Sequence, residues 1–335
     1  MGTVIRNILG NALYAAFSRD ASLPVAVISY HDISDGEGFS SWLRVNEGAF
    51  DKQISLLKDV VNFITPADLF DPDRLSRNRL NLLLTFDDGY SSTYRFAYPV
   101  IRKLQVPALF FISTWNMQTG QPFWFDIIIS YIQEARIEAL DLSHLGLGNY
   151  HFSSRADCER WDDIQTLLED IKCHTVRDDI DFAEAVAQWL TRAFSPCTDA
   201  RSCLPISPEQ IAEMHRSGLC YFGSHSHRHR ILTTLPDEAL ADDLRTSRKI
   251  LEEVTGDAVI HVSYPNGNCD ERVKRISREA GYRFGFTTSF GRVSSCTDVM
   301  GIPRLLVGGY DSHNGLIWRL LRGASRQSPR RCAKP

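Results

Sequence analysis

The sequence predicts an α/β fold in which short parallel strands alternate with helices, and three observations carry that prediction. Apolar runs bounded by Gly, Pro or charged residues recur at 25–31, 62–65, 80–88, 107–113, 219–222, 259–264, 284–288 and 302–307. Between many of them, apolar residues return at three- and four-residue spacing, the period of a helix with one face on a core. Two of the runs end in clusters of ionisable side chains, which places charge at the mouth of a sheet. Alternation of this kind suits a parallel sheet or barrel, because parallel neighbours are joined by crossovers that are usually helical.

A chain of 335 residues, 43% hydrophobic and 23% charged, has ample material for a core and holds either one large barrel or two modest domains. A net charge of -4 gives no general case for a nucleic-acid partner. The eight cysteines form no Cys-x-x-Cys pair. Reduced, mostly buried thiols are expected, with Cys197 and Cys203 able to pair only in an oxidising compartment. The first thirty residues lack a basic region followed by an unbroken apolar core, and no run reaches the roughly 18 apolar residues of a membrane span. A cytoplasmic protein is the expectation.

Val4, Ile5, Ile8, Leu9, Ala12, Leu13 and Phe17 repeat at helical spacing, so residues 1–20 read as an amphipathic N-terminal helix and a possible peripheral contact with a membrane. The first strand, 25–31, ends at His31. Phe50, Ile54, Leu57 and Val61 mark a helix before the strand at 62–65. The next strand ends in Thr85-Phe86-Asp87-Asp88-Gly89-Tyr90, where Gly89 lets the chain turn away. A helix at 94–104 and the strand 107–113 follow. Residues 115–205 break the rhythm with helical patterns and no strong strand, which reads as a helical insertion. Its tryptophans Trp115, Trp124 and Trp161 are suited either to a core or to stacking on sugar faces.

Ser207-Pro208-Glu209-Gln210 carries an N-cap, a Pro at the first helical position and an acidic first turn, so a helix starts there. The strand at 219–222 leads into Ser224-His225-Ser226-His227-Arg228-His229. A helix at 237–255 closes at Gly256, and the strand 259–264 ends in the turn Tyr264-Pro265-Asn266-Gly267. After the last strand, residues 313–335 read as a disordered basic tail.

Two adjacent carboxylates and three alternating imidazoles, each at a strand exit, form a plausible chemical set. One carboxylate plus two neutral imidazoles binds a borderline divalent ion such as zinc and leaves positions open, while the second carboxylate is free to act as a base. A metal-assisted hydrolase is the expected class. Asp-Asp-Gly as an ordinary turn and the histidines as an exposed loop are the plainer readings.

The two stretches resemble the first two motifs of the polysaccharide deacetylases, the NodB-homology family also called carbohydrate esterase family 4. The resemblance implies a distorted (β/α) barrel of seven or eight strands over residues 21–114 and 206–312, interrupted by the insertion. It implies Asp87 as catalytic base and Asp88, His225 and His229 as ligands of a divalent metal: zinc, or alternatively cobalt, nickel or iron. His227 falls where the family needs no ligand. Tyr30-His31-Asp32-Ile33 is similar to the opening of the poly-N-acetylglucosamine deacetylase branch, which implies His31 as general acid, with His313 as a second candidate. Tyr264-Pro265-Asn266-Gly267 resembles the third motif, implying that the Asn266 N–H helps hold an oxyanion. Ser263 stands where many members carry an Arg that orients the base, and Arg304 is the substitute this sequence offers. The implied reaction is removal of N-acetyl groups from an N-acetylated glycan. The alternatives are a deformylase or cyclic-amide hydrolase on the same site, or a carbohydrate-binding protein without the chemistry.

Overall fold

A computed structural model describes residues 3–18, 24–36, 41–154, 157–178, 181–194 and 203–323. In chain order, α1 (Thr3–Phe17) precedes β1 (Val25–Tyr30), the short parallel pair β2 (Asp32–Ser34) and β3 (Arg44–Asn46), then α2 (Glu47–Val60), β4 (Asn62–Phe63) and β5 (Asn81–Phe86). α3 (Tyr98–Leu104), β6 (Ala108–Ile112) and α4 (Thr114–Thr119) lead into the insertion. The insertion holds α5 (Trp124–Glu134), a hairpin of β7 (Ala139–Asp141) and β8 (Asn149–His151), α6 (Asp157–Asp178) and α7 (Asp181–Ala193). The chain returns through α8 (Pro208–Arg216), β9 (Cys220–Ser224), α9 (Asp237–Thr255), β10 (His261–Ser263), α10 (Glu271–Glu279), β11 (Phe284–Phe286), β12 (Leu305–Leu306) and α11 (His313–Gly323).

The strands form one parallel sheet in the order β11-β10-β9-β6-β5-β1-β12, with β4 beside the start of β5. The predicted α/β barrel is the fold observed, curled so far that a single segment touches both edges. Ile302 bridges Phe286 of β11, while Leu305 and Leu306 pair with β1. β1 and β5 are buried along their whole length, as parallel strands covered on both faces are.

The two-residue period of a strand then decides which side chains face the barrel interior. Ala26, Ile28 and Tyr30 of β1 and Leu82, Leu84 and Phe86 of β5 pack outward against the helices. Val27 and Leu83 turn inward, with Phe111, Phe286 and Ile302. Thr85 and Asp87 share the parity of Leu83, and this sets the carboxylate motif on the inner face.

Several elements depart from the sequence reading. The region 313–335 was expected to be a disordered tail, but 313–323 is a helix whose Leu316, Ile317 and Leu320 are buried in the main core. The arginines mask that apolar face in the sequence; residues 324–335 lie outside the described ones. In α1, Leu13 and Phe17 are buried while Ile8 is 64% exposed, so the apolar stripe is narrower than predicted. The insertion contains the β7–β8 hairpin as well as helices, and it has its own core built on Ile132, Ile164, Ile171, Val186 and Leu190. α8 starts as expected: Ser207 accepts from the Gln210 N–H and the Gln210 side chain accepts from the Ser207 N–H. Cys203 is buried, and Cys197 lies outside the described residues.

Candidate active site and metal centre

The carboxylate turn is built by backbone that few residues tolerate. Asp88 adopts φ 71° and Gly89 φ 83°, the left-handed region in which Asp is among the better-tolerated non-Gly residues. A Cβ on Gly89 would come within 3.0 Å of Ile112 Cδ1. Opposite, β9 ends at Ser224, and the His225 N–H donates to Ile112 O at 2.9 Å. Ser226 (φ 63°) and His229 (φ 53°) turn the chain back. The buried Asp243 of α9 holds that turn by accepting from the His227 and Arg228 N–H groups at 2.6 and 3.2 Å.

These two turns bring Asp88, His225 and His229 together, with their ligand atoms all within 4.8 Å of one another. Both Nε2 atoms lie 3.2 Å from Asp88 Oδ1. His225 Nδ1 faces the Ser263 carbonyl at 2.8 Å; a carbonyl only accepts, so Nδ1 carries the proton. With Nδ1 committed to the carbonyl, Nε2 is the ring atom turned toward Asp88, and in the neutral ring it offers a lone pair that a cation shared with the carboxylate would use. The donor set fits a divalent metal, with the Ser263 carbonyl fixing the ring's tautomer as partners of metal-binding histidines do. Burial opposes charge on all three groups. His225 is nonetheless shifted up by Asp88, Asp87 and the carbonyl, Asp88 is held well below the usual carboxylate range by the two rings, and His229 is shifted down because burial prevails. His227 points elsewhere, its Nδ1 2.9 Å from Thr114 Oγ1.

Asp87 is 2% exposed and is gripped from below by Arg304, which is fully buried. The guanidinium donates from Nη1 to Oδ1 and from Nη2 to Oδ2, both at 2.7 Å. Its Nε donates to Thr287 O at 2.9 Å, and Nη2 also donates to Ser263 Oγ at 2.9 Å. Burial would raise the Asp87 carboxyl, but Arg304 outweighs it and the group sits below its ordinary value. Asp87 is thus an oriented carboxylate, ionised at neutral pH. Arg304 reaches it because 302–306 is the segment that joins the two sheet edges.

His31 Nε2 lies 3.9 Å from Asp87 Oδ2, and its buried Nδ1 has no hydrogen-bond partner among the described residues. Asn266 adopts φ 57°, and Gly267 after it packs so closely on Thr288 that a Cβ would meet Oγ1 at 2.0 Å. Asp87, Asp88, His225, His229, His31 and Asn266 line one cavity of about 670 Å³, within the usual range for a ligand site. Of the three tryptophans singled out, Trp124 and Trp161 line it, joined by Trp42. Trp115 instead stacks under Arg228, 5.3 Å from guanidinium to ring centre.

The family model described as "Polysaccharide deacetylase" matches residues 76–285. This chain belongs to the polysaccharide deacetylase family. It is similar to the poly-β-1,6-N-acetyl-D-glucosamine N-deacetylase of Staphylococcus aureus (strain MRSA252), at 21% identity over 82% of this chain and 71% of that one. Among solved structures, IcaB from Ammonifex degensii superposes with a TM-score of 0.57 at 22% identity, covering 89% of this chain and 97% of that one. The Streptococcus pyogenes deacetylase PplD, solved with acetate, gives a TM-score of 0.57 at 17% identity, covering 89% and 99%. At these identities the superpositions speak for the fold.

For a polysaccharide deacetylase, this chain carries two buried polar clusters beside the motifs that its sequence did not disclose. Asp126, in the first turn of α5, accepts from Tyr90 Oη at 2.8 Å, and burial holds its carboxyl well above the usual range. The same motif turn is tied to the far end of the insertion, because Ser91 N–H donates to Leu204 O and Ile206 N–H to Gly89 O. The insertion is therefore seated on the carboxylate turn at both ends. The second cluster is Asp32, paired with Arg44 Nε at 2.7 Å and accepting from Ser92 Oγ, which anchors the backbone next to His31. In sequence, Asp126 is an ordinary first-turn acid and Arg44 an ordinary surface-type cation; only the spatial pairing marks them.

Proposed function

We propose that this chain is a metal-dependent N-deacetylase acting on an N-acetylated sugar or glycan. The observation that supports this best is the pairing of a two-histidine, one-carboxylate ligand set with a separate, arginine-oriented carboxylate in the same cavity. Asp88, His225 and His229 would hold the cation, with zinc the first candidate for such a set. When bound, a divalent ion supplies Lewis-acid polarisation of the amide carbonyl and a more acidic water.

The protein's own groups do the rest. Asp87 takes a proton from the attacking water at a carboxylate oxygen that Arg304 keeps ionised and aimed. The Asn266 N–H donates to the oxyanion that develops on the amide carbonyl, a fixed dipole needing no reorganisation. His31 gives a proton to the departing amine nitrogen, so that acetate and a free amino sugar leave. Trp124 and Trp161 offer faces for the sugar ring.

Acetate release from N-acetylglucosamine oligomers is the direct test, with formate release from N-formyl analogues run beside it. Acetate from the former supports the reading; formate alone, or neither product from a metal-loaded chain, contradicts it. For His31, the pH profile is decisive: His31→Ala should lower kcat by about 10²–10⁴-fold and abolish the alkaline limb. An unaltered alkaline limb would remove His31 as the acid.

A further inference from the structure

Part of the cavity lining is aliphatic. Beside the polar Gln165, Glu169 and Lys172, the insertion contributes Ile129, Leu168 and Ala183; beside Arg230 and Thr234, the segment following the metal-binding histidines contributes Ile231, Leu235 and Ala239. None of the six aliphatic side chains donates or accepts a hydrogen bond. Sugar hydroxyls laid against them would be stripped of water without replacement, which is unfavourable for each group left unpaired. An aliphatic chain laid there would instead gain from each methylene removed from water. Some polar groups of the same cavity are already occupied: Lys172 Nζ is 2.7 Å from Glu169 and 3.3 Å from Asn266 Oδ1.

We propose that the substrate is an amphiphilic glycoconjugate: an N-acylated sugar presented to Asp87 and the metal ligands, carrying an aliphatic chain that lies between the insertion and the 231–239 segment. This rests on the deacetylase reading above and narrows its substrate class. The chain has two chemical sources, a lipid on the anomeric oxygen or an N-acyl group longer than acetyl. The insertion, tied to the motif turn through Asp126 and residues 204–206, is the device that turns a barrel mouth into this apolar-walled cavity.

Binding to the full-length, zinc-loaded chain, read by fluorescence of Trp124 and Trp161 at the cavity, tests this without relying on turnover. The probes are the methyl and octyl β-glycosides of N-acetylglucosamine, the methyl glycoside of N-octanoylglucosamine, and an N-acetylglucosamine pentasaccharide. One octyl probe should bind at least about tenfold more tightly than the methyl glycoside, and which one gains identifies where the chain is attached. Leu235→Gln, which makes the wall polar, and Ala239→Trp, which fills it, should each bring that ratio close to one. Equal binding of all three monosaccharides, or tightest binding of the pentasaccharide, would overturn the proposal. An octyl gain without release of any acid upholds the apolar channel and counts against the deacetylase reading. Acetate release from the methyl glycoside with no octyl gain does the reverse.

Discussion

Asp87→Asn should leave the divalent cation bound and slow deacetylation by about 10²–10⁴-fold, the range ascribed to a positioned general base. The cation should be retained because the proposed ligand set is Asp88, His225 and His229, whose ligand atoms cluster without Asp87. Asn keeps the volume and one oxygen for Arg304, which also donates to Thr287 O, Ser29 Oγ and Ser263 Oγ, so the variant should fold, with a lowered Tm. Metal content, circular dichroism and initial rates on one preparation check all three parts. Near-normal turnover would show that another group removes the proton.

Arg304→Met carries the second large effect. It removes the partner of a carboxylate that is 2% exposed, and breaking a buried ion pair from one side destabilises by about 3–5 kcal/mol. Urea unfolding should show this loss at neutral pH. In the native chain the Asp87 value is depressed, so the stabilisation from the pair is present at neutral pH and is lost as pH falls through that depressed value. Without the guanidinium, only His225 and His31 oppose burial, and the Asp87 value rises. The acid limb of the rate profile should therefore move to higher pH, because the base must be ionised. A native-like midpoint and an unmoved acid limb would mean that Ser263 Oγ, 3.3 Å from Asp87 Oδ2, suffices to hold the base.

The parts of this molecule that were legible in the sequence are those whose information is local. The buried strands announce themselves as apolar runs, and the carboxylate and histidine motifs are contiguous at strand exits, so Asp87, Asp88, His225 and His229 were readable before their convergence was. Arg304 was legible only by elimination, from the Ser at 263. That it lies near Asp87 depends on the curl that makes 302–306 touch both sheet edges, which no run of residues encodes. β2, β3, β7 and β8 are three residues each, too short to show a period. α10 was missed because Glu271–Glu279 is mostly charged, burying only Val273, Ile276 and Ser277. The Tyr90–Asp126 pair spans 36 residues, and long-range polar pairs of this sort leave no mark in one sequence.

The central claim is that one divalent cation is held by Asp88, His225 and His229, and the most direct test is metal content by mass spectrometry after chelation and reloading. The account predicts about one ion per chain for the wild type, the same for His227→Ala, and loss of the ion together with activity for His225→Ala. A His225→Ala chain that reloads to the wild-type level would contradict it.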